Sequence, residues 1–205
     1  MPDHDLAIKQ ELCEAIKELY SQQFLTDFGG NVSCRAGDEE SIWITPAGVQ
    51  KNRVNPGGLI RVSLNGTVLE KPESNATPSV ELKLHLAIYE EEEDYSAVVH
   101  SHGPYATAFS IAPVNIPPLT DETEIFVPNL RDSLISYAPR GSEELASAVA
   151  EVITDSDFAI IQNHGLITAA STLNHAIVLT RAVEETIRIY CIARQIGGEI
   201  SVLPE

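Results

Sequence analysis

Ser96-Ala-Val-Val-His-Ser-His102, followed directly by Gly103-Pro104, is the stretch of sequence that decides the fold. Its apolar run is typical of a buried strand, and Pro104 favours a helix immediately after it. Phe158-Ala-Ile-Ile161 has the same buried-strand pattern and stops at Asn163-His164-Gly165. The sequence therefore predicts two interior strands that both end in histidine.

Amphipathic segments on either side of these strands predict helices. Residues 5–24 place apolar side chains at steps of three and four residues, as a helix with one buried face does. Ser79 is a suitable N-cap for a helix from Val80 to about Glu90, with Glu81 in its first turn. Two more helices are expected later in the chain, one opening at Gly141-Ser142 and one over about residues 172–195.

Short β-prone segments lie in the first third of the chain. The glycines and the asparagine of Asp27–Ser33 predict a sharp backbone turn there. Ser41–Thr45 is expected to be a strand, and residues 59–64 and 67–69 are expected to form a hairpin through Asn65-Gly66. This mixture favours a layered α/β or α+β fold, with a central mixed or antiparallel sheet flanked by helices. Because no repeat or linker is visible, residues 1–205 are predicted to form a single domain.

Composition and charge exclude several classes of function. The chain has 30 acidic and 13 basic residues and a net charge of −17. This charge repels phosphate backbones, so nucleic acid is not an expected partner. No apolar run approaches the roughly 20 residues that a membrane-spanning helix needs. The N-terminal segment Met-Pro-Asp-His-Asp is acidic, unlike a signal peptide, so a cytoplasmic location is expected.

His100 and His102 form the first candidate metal site. Side chains at positions i and i+2 of a strand point to the same face, so both imidazoles are expected on one side of the sheet. Two neutral ring nitrogens on a rigid element suit zinc, which binds histidine nitrogen at about 2.0–2.1 Å. Taken alone, the pair is also compatible with two surface or core histidines.

His164 and Glu81 extend this candidate site. His164 follows the second apolar strand, where Gly165 is expected to let the chain turn abruptly, and a third histidine suits a catalytic zinc with an open position. The alternatives are a loop histidine bonded to backbone and, for Glu81, a partner of the helix dipole. His85, four residues after Glu81, can form an ExxxH metal pair with it and is the more dispensable of the two.

Five ordered motifs resemble those of the class II aldolase/adducin family. They are GGNVSCR at 29–35, ITPAGV at 44–49, PSVELKLH at 78–85, VVHSHGPYATAFS at 98–110 and IIQNHGLI at 160–167. By this resemblance His100, His102 and His164 bind zinc, although Mn²⁺, Fe²⁺ or Co²⁺ also suit such a site. Glu81 takes the acid/base position and ligates the metal until substrate displaces it.

The resemblance implies a metal-dependent carbon–carbon lyase of carbohydrate metabolism. The expected reaction cleaves a short ketose, such as L-fuculose 1-phosphate, into dihydroxyacetone (phosphate) and an aldehyde. Zinc would act as a Lewis acid on the developing enediolate, and Glu81 would move the proton. The same enediolate also serves 4-epimerisation, dehydration or decarboxylation. A metal-free, adducin-like interaction module is the alternative from another class.

The resemblance also implies a substrate pocket and an assembly. Gly30, Asn31, Gly48 and Ser79 match positions of the family's phosphate site, and Ala47 lies in the same loop. Val80 and Ala47 stand where hydroxyl side chains occur in the family, which weakens phosphate binding. Asp121 lies near the position of the family's second acid, so it is the second candidate catalytic residue. Family members are usually homotetramers with C4 symmetry whose sites lie near subunit boundaries.

Overall fold

The sheet is the organising element of the computed structural model, which describes residues 2–128 and 130–203. The described part therefore leaves out Met1, the first residue of the acidic N-terminal segment. Eight strands form this single sheet in the order β4-β3-β2-β1-β5-β8-β7-β6. The strands are β1 (Asn31–Arg35), β2 (Ser41–Ile44), β3 (Ile60–Ser63), β4 (Val68–Glu70), β5 (Ala97–Ser101), β6 (Leu134–Ile135), β7 (Phe158–Ile161) and β8 (Gly165–Ala170).

Strand β5 lies in the middle of the sheet and carries the first histidine. It pairs antiparallel with β1 on one side and with β8 on the other, so that His100 is opposite Asn31 and Ile167. The pair β6 and β7 is parallel, whereas the other neighbouring strands are antiparallel. All five residues of β5 are buried, in agreement with the expected interior strand.

Helices cover both faces of the sheet. They are α1 (Pro2–Ser21), α2 (Leu82–Glu91), α3 (Pro104–Ile111), α4 (Asp121–Phe126), α5 (Glu143–Ser156) and α6 (Leu173–Ile196). Helices α2 and α5 pack on one face, over the core that contains Ile42, Val98 and Ile167. Helices α1, α3 and α6 lie on the other face, over Val32, Val99 and Leu166. This arrangement confirms the predicted layered fold with a mixed central sheet.

Several elements differ from those predicted from the sequence. Strand β1 begins inside the segment expected to be only a turn, since it starts at Asn31 directly after Gly30, whose φ is 77°. Strand β8 begins at Gly165, directly after His164, and forms a hairpin with β7. The turn before it is made by Asn163, with φ of 57°, and not by Gly165 as expected. Helix α4 was also not predicted.

Helix α2 begins two residues later than the predicted start. Glu81 is its N-cap residue, not a residue of its first turn, and its side chain makes no cap hydrogen bond. Ser79 was predicted to be the N-cap, but its hydroxyl instead accepts a hydrogen bond from the Glu81 backbone N–H at 3.3 Å. The Glu81 carboxylate is consequently free to turn away from the helix axis. Within the described residues, none of the helices has the length and apolar character needed to cross a bilayer.

Candidate metal centre

Three imidazoles converge at one end of the paired strands β5 and β8. His100 Nε2 lies 2.9 Å from His102 Nε2 and 3.3 Å from His164 Nε2. The ring centroids of His102 and His164 are 5.4 Å apart. The ligating atoms of all three rings lie within 4.8 Å of one another. The structure thus brings together the two histidine motifs that the sequence separates by more than sixty residues.

A backbone hydrogen bond fixes the ring of His100. Its Nδ1 lies 3.1 Å from the carbonyl oxygen of Leu166, which can only accept, so Nδ1 carries the proton. In the neutral ring the lone pair is then on Nε2, the atom that faces His102 and His164. His100 is fully buried, so its ring has little freedom to leave this orientation. Such a second contact is the usual way in which a protein orients a metal-binding histidine.

Two glycines allow the imidazoles to pack against the backbone. A Cβ at Gly29 would lie 2.6 Å from His102 Nδ1, and a Cβ at Gly165 would lie 2.8 Å from His102 Cδ2. Both distances are shorter than real Cβ contacts, so any side chain at these positions would displace the ring of His102. The glycines are therefore required here for close approach, not for turning the chain.

Glu81 is the fourth group of the cluster. Its Oε2 lies 3.1 Å from His100 Nε2, and its Oε1 lies 3.2 Å from His164 Nε2. Although it is this close to His164, Oε1 is buried and has no hydrogen-bond partner of acceptable geometry among the described residues. A buried carboxylate oxygen that faces a ring nitrogen without a hydrogen bond indicates that a further group belongs between them.

Burial and charge act on the titration of these groups in opposite ways. Burial would raise the pKa of Glu81, but the adjacent His100 and His164 lower it well below its usual range. The pKa of His102 is lowered to about 3, mainly by burial and then by the charges of His100 and His164. At neutral pH the cluster therefore contains a carboxylate and at least one neutral imidazole, which are metal-binding forms.

The donor set fits a divalent cation. Two nitrogens bound to one tetrahedral zinc at 2.0–2.1 Å are about 3.3–3.4 Å apart, close to the His100–His164 separation of 3.3 Å. A cation between the rings and the carboxylate would also supply the partner that Glu81 Oε1 lacks. Three histidines with one carboxylate favour zinc or a similar transition metal over Mg²⁺ or Ca²⁺, which prefer oxygen ligands.

A chain of buried polar side chains reaches Glu81 from the interior. Asn31 Nδ2 donates to Glu81 Oε2 at 2.9 Å, and His85 Nε2 contacts Asn31 Oδ1. The Ser33 hydroxyl lies 2.7 Å from His85 Nδ1 and 2.9 Å from the Tyr89 hydroxyl. His85 is therefore not beside Glu81 as an ExxxH metal pair would require, but is linked to it through Asn31. Among the described residues, His85 thus belongs to the hydrogen-bond chain behind Glu81 and not to the histidine cluster.

The predicted substrate-binding residues lie on loops beside Glu81. Ala47 N–H donates to the Thr77 carbonyl at 2.9 Å, and Ser79 N–H donates to the Thr45 carbonyl at 3.2 Å. These bonds place Ala47 and Gly48 next to Ser79, with Gly48 at a positive φ of 69°. Gly30 precedes Asn31 on the other side of Glu81, where Asn31 makes the bond described above. The loops thus form one border of the cluster.

Asp121 is the predicted site residue that the chain does not bring to the cluster. It is exposed and is the first residue of α4, after the N-cap Thr120. No hydrogen bond or ion pair between Asp121 and the histidines or Glu81 occurs within residues 2–128 and 130–203. Its assignment as a second acid therefore stays a prediction.

Glu184 and Lys51 are two buried charged residues that sequence reasoning missed. Glu184, on α6, accepts the backbone N–H groups of Tyr105 and Ala106 at 3.0 and 3.1 Å, and so caps the helix that follows His102. Lys51, only 2% exposed, begins a short 3₁₀ turn over Lys51–Arg53. Neither belongs to a recognisable motif. For Glu184 the only signal was a charged residue within an apolar helical pattern, whereas Lys51 stands among polar residues and has no such signal.

Comparison with known proteins agrees with this fold. Residues 10–191 match the family described as Class II Aldolase and Adducin N-terminal domain. The L-fuculose phosphate aldolase of Methanococcus maripaludis is 34% identical over 179 residues, which are 87% of this chain and 93% of that protein. The 5-deoxy-D-ribulose 1-phosphate aldolase of Bacillus thuringiensis is 29% identical over 197 residues, 96% of this chain and 90% of that protein.

A solved structure has the same architecture. The L-fuculose 1-phosphate aldolase superimposes with a TM-score of 0.86 at 29% identity, over 97% of this chain and 91% of that one. A layered domain with three histidines at adjoining strand ends defines the class of fold and site. The chain belongs to the class II aldolase and adducin family.

Proposed function

We propose that this protein is a metal-dependent aldolase, a carbon–carbon lyase that cleaves a short ketose 1-phosphate. The observation that carries the proposal is the convergence of three imidazole nitrogens beside Glu81, whose buried Oε1 has no hydrogen-bond partner among the described residues. His100, His102 and His164 would hold the metal, for which zinc is the first choice. When bound, the cation supplies Lewis-acid stabilisation of the negative charge that forms beside the substrate carbonyl.

The side chains of this protein would supply the proton transfers. In the cleavage direction, a base takes the proton of the hydroxyl group on the carbon that becomes the aldehyde. The carbon–carbon bond then breaks, and its electron pair stays on the carbon next to the ketone. Glu81, a carboxylate at neutral pH, is our candidate for that base: it would take the hydroxyl proton and, as the acid so formed, return it to that carbon, while Asn31 donates to its Oε2. Asp121 stays our candidate for a second acid, acting at the site of a neighbouring subunit, because no contact joins it to the cluster among the described residues of its own chain.

The proposed substrate is a phosphorylated ketose, and the products are dihydroxyacetone phosphate and an aldehyde. Two relatives are named for the phosphate esters L-fuculose phosphate and 5-deoxy-D-ribulose 1-phosphate, which supports this class. The two sugars differ in chain length, so the size of the aldehyde product separates the two candidates. We also propose that Gly30, Asn31, Ala47, Gly48 and Ser79 border the substrate, from their position on the loops beside Glu81.

Other outcomes of the same site are distinguishable from aldol cleavage. Epimerisation and dehydration leave the carbon chain whole and decarboxylation releases CO₂, whereas cleavage gives two sugar fragments. An adducin-like interaction module would need no metal. The intact histidine cluster supports an enzyme over such a module.

We further propose a cytoplasmic homotetramer in which residues 1–205 form one domain that binds neither nucleic acid nor a membrane. Large apolar side chains remain exposed near the site, among them Phe28 and Val80, which are 62% and 56% exposed. Exposed apolar groups of this size beside a catalytic centre are suited to contact with another subunit. The net charge of −17 disfavours nucleic acid.

Metal content and product analysis test the proposal together. Purified protein should contain about one zinc per chain, and chelation should abolish activity that zinc restores. With L-fuculose 1-phosphate and 5-deoxy-D-ribulose 1-phosphate as substrates, NMR should detect dihydroxyacetone phosphate and one aldehyde. The variant Glu81→Gln should retain metal and lose cleavage by more than about a hundredfold. Metal-loaded protein that releases no aldehyde from any ketose 1-phosphate would contradict the aldolase assignment.

A further inference from the structure

Lys51 is a buried cation at the border of the proposed active site. Its backbone N–H donates to the Asp27 carbonyl at 2.9 Å, which attaches the 3₁₀ turn to the glycine-containing loop before β1. Three residues earlier, Gly48 lies in the loop that runs beside Ser79. Only 2% of Lys51 is exposed, although lysine is among the residues least often buried in proteins. The side chain is thus enclosed between the two loops that flank Glu81.

The ammonium group of Lys51 has no partner within the described part of the chain. No side chain or carbonyl accepts a hydrogen bond from it, and no carboxylate forms an ion pair with it. Arg61, in contrast, pairs with three carboxylates, and Arg35 donates to three backbone carbonyls. Lys51 Nζ is nevertheless not among the fully buried side-chain atoms that lack a hydrogen-bond partner, so the ammonium reaches open space at the end of a buried stem. Lys51 is therefore a cation that has no ion-pair partner among the described residues and is open to an external anion.

Glu81 is not an ion-pair partner of Lys51. Its charge acts on Lys51, opposing the lowering of the lysine pKa that burial causes. Its two oxygens, however, face Asn31, His100 and His164, and none is within ion-pair distance of Lys51. The ammonium is thus near the carboxylate that we assign to proton transfer, yet remains available to another anion.

Apart from Arg140, whose charge acts on His102 and whose neighbour Gly141 lies against Val80, the loops around Glu81 offer few other groups that could bind an anion. The side chains of Ala47 and Val80 have no donor, and Gly48 has no side chain. The Ser79 hydroxyl accepts from the Glu81 backbone N–H and can still donate its own proton. A negatively charged substrate group that enters between these loops would be stabilised mainly by a cationic side chain such as Lys51.

We propose that Lys51 binds the oxyanion of the substrate, a phosphate or a carboxylate, and so restricts this enzyme to anionic substrates. This inference rests on the proposed function only in placing the substrate beside Glu81. The ligand supplies the counter-charge, and Lys51 supplies a charged hydrogen-bond donor. A neutral substrate of the same carbon skeleton would leave the ammonium unpaired, which disfavours its binding.

Binding measurements on Lys51→Met test the proposal without depending on turnover. Methionine has a similar length but no charge, and it can fill the space of the buried lysine stem, so it should not lower the thermal stability. Calorimetry on zinc-loaded protein would compare dihydroxyacetone phosphate with dihydroxyacetone, and glycolate with ethylene glycol. Lys17→Met, which changes an exposed lysine on α1, is the matched control.

The expected result is that Lys51→Met binds the charged member of one pair about ten- to a hundredfold more weakly, with little change for the neutral member. The pair that responds identifies the oxyanion as phosphate or carboxylate. Equal affinities of wild type and Lys51→Met for both charged ligands would overturn the proposal. Charged-ligand binding that depends on Lys51 in a protein without cleavage activity would support it while contradicting the aldolase assignment.

A second measurement decides the question if Lys51→Met and Lys51→Gln do not fold. A crystal structure of wild-type protein with dihydroxyacetone phosphate should place an oxygen of the phosphate within hydrogen-bond distance of Lys51 Nζ. A bound phosphate with Lys51 turned away from it would overturn the proposal.

Discussion

Asn31 determines which oxygen of Glu81 is available for chemistry. Its amide nitrogen donates to Oε2, so its carbonyl oxygen must face His85, and His85 Nε2 must carry a proton. Burial is the main cause that lowers the pKa of His85 to about 3, so the ring is neutral and its Nδ1 accepts from Ser33. The direction of every hydrogen bond from Ser33 to Glu81 is thereby defined.

The first prediction concerns His85 as a positioning residue. In His85→Leu, Asn31 Oδ1 loses its donor, so the amide is no longer held with its nitrogen toward Glu81. We expect kcat to fall about tenfold or more with KM and zinc content nearly unchanged, and stability to fall by about 1–3 kcal/mol. Steady-state kinetics and metal analysis measure these changes.

His85→Gln provides the control for this prediction. Its amide nitrogen can still donate to Asn31, so it should recover part of the lost kcat. Equal kcat in the leucine variant, the glutamine variant and the wild type would show that His85 has no positioning role.

The second prediction is a pH dependence of the metal-free protein. His85 and His102 have folded pKa values of about 3, below the ordinary value of 6.5. Between these values the unfolded chain binds more protons than the folded one, so stability falls as the pH is lowered from about 6.5 toward 3. Urea unfolding at a series of pH values measures this slope.

The pH range in which stability falls distinguishes the contribution of the histidines from that of the carboxylates. Glu81 and Asp38, whose pKa values are lowered, add a loss of stability that begins only below about pH 4.5. His85→Gln should remove about one proton from the slope between pH 4.5 and 6.5, whereas His175→Asn, at an exposed position, should leave it unchanged. A flat stability between pH 4.5 and 6.5 would contradict the buried neutral histidines.

At the scale of elements, helix α3 depends on a cap from another helix. Its own N-cap is Gly103, which has no side chain, and the first free N–H groups are bound by Glu184 of α6. Burial raises the pKa of Glu184, and these two backbone hydrogen bonds act against that change. Because α3 starts two residues after His102, the cap also holds one end of the metal cluster.

The third prediction follows from this cap. Glu184→Ala should lower the free energy of unfolding by about 2 kcal/mol or more, because two N–H groups lose a charged acceptor. Zinc affinity should fall as well, since His102 precedes the loosened helix. Thermal unfolding and a zinc titration are the measurements. Glu185→Ala is the control, because its surface pair with Arg188 contributes little, and equal effects of both variants would reject the capping role.

Sequence periodicity correctly predicted those helices and strands whose apolar residues follow one clear pattern. Strand β5, helix α2 and helix α6 were expected close to their observed bounds, and all three histidines were singled out. Strand β1 was missed because Asn31 and Ser33 are polar residues that face a buried hydrogen-bond chain, so no apolar alternation marks the strand. Lys51 was missed for a similar reason, since burial of a cation depends on loops that only the folded chain brings together.

At the scale of the whole molecule, exposed apolar side chains bear on assembly. Ile125 on α4 and Ile111 on α3 are 69% and 60% exposed, and Tyr137 is 59% exposed. Groups of this size on a highly charged protein are suited to subunit contacts, where they would be removed from water.

The fourth prediction is therefore a defined oligomer. Light scattering after size-exclusion chromatography should give a mass four times that of the 22.3 kDa chain. The variant Ile125→Asp should shift the protein to smaller species and lower its activity, with zinc still bound. Lys71→Asp changes an exposed residue on a strand-side loop and serves as the control. A wild-type mass of one chain would contradict both the tetramer and a catalytic role for Asp121 across subunits.

The unequal packing around the cluster has a consequence for how such proteins diversify. Gly29 and Gly165 leave no room for a side chain beside His102, so the histidine half of the site tolerates almost no substitution. Val80, next to Glu81, is in contrast 56% exposed, so its side chain can be replaced without disturbing a ring. A mutant library confined to positions 47 and 80 should therefore yield new substrate preferences among clones that all keep their metal, and natural lineages had the same route open to them.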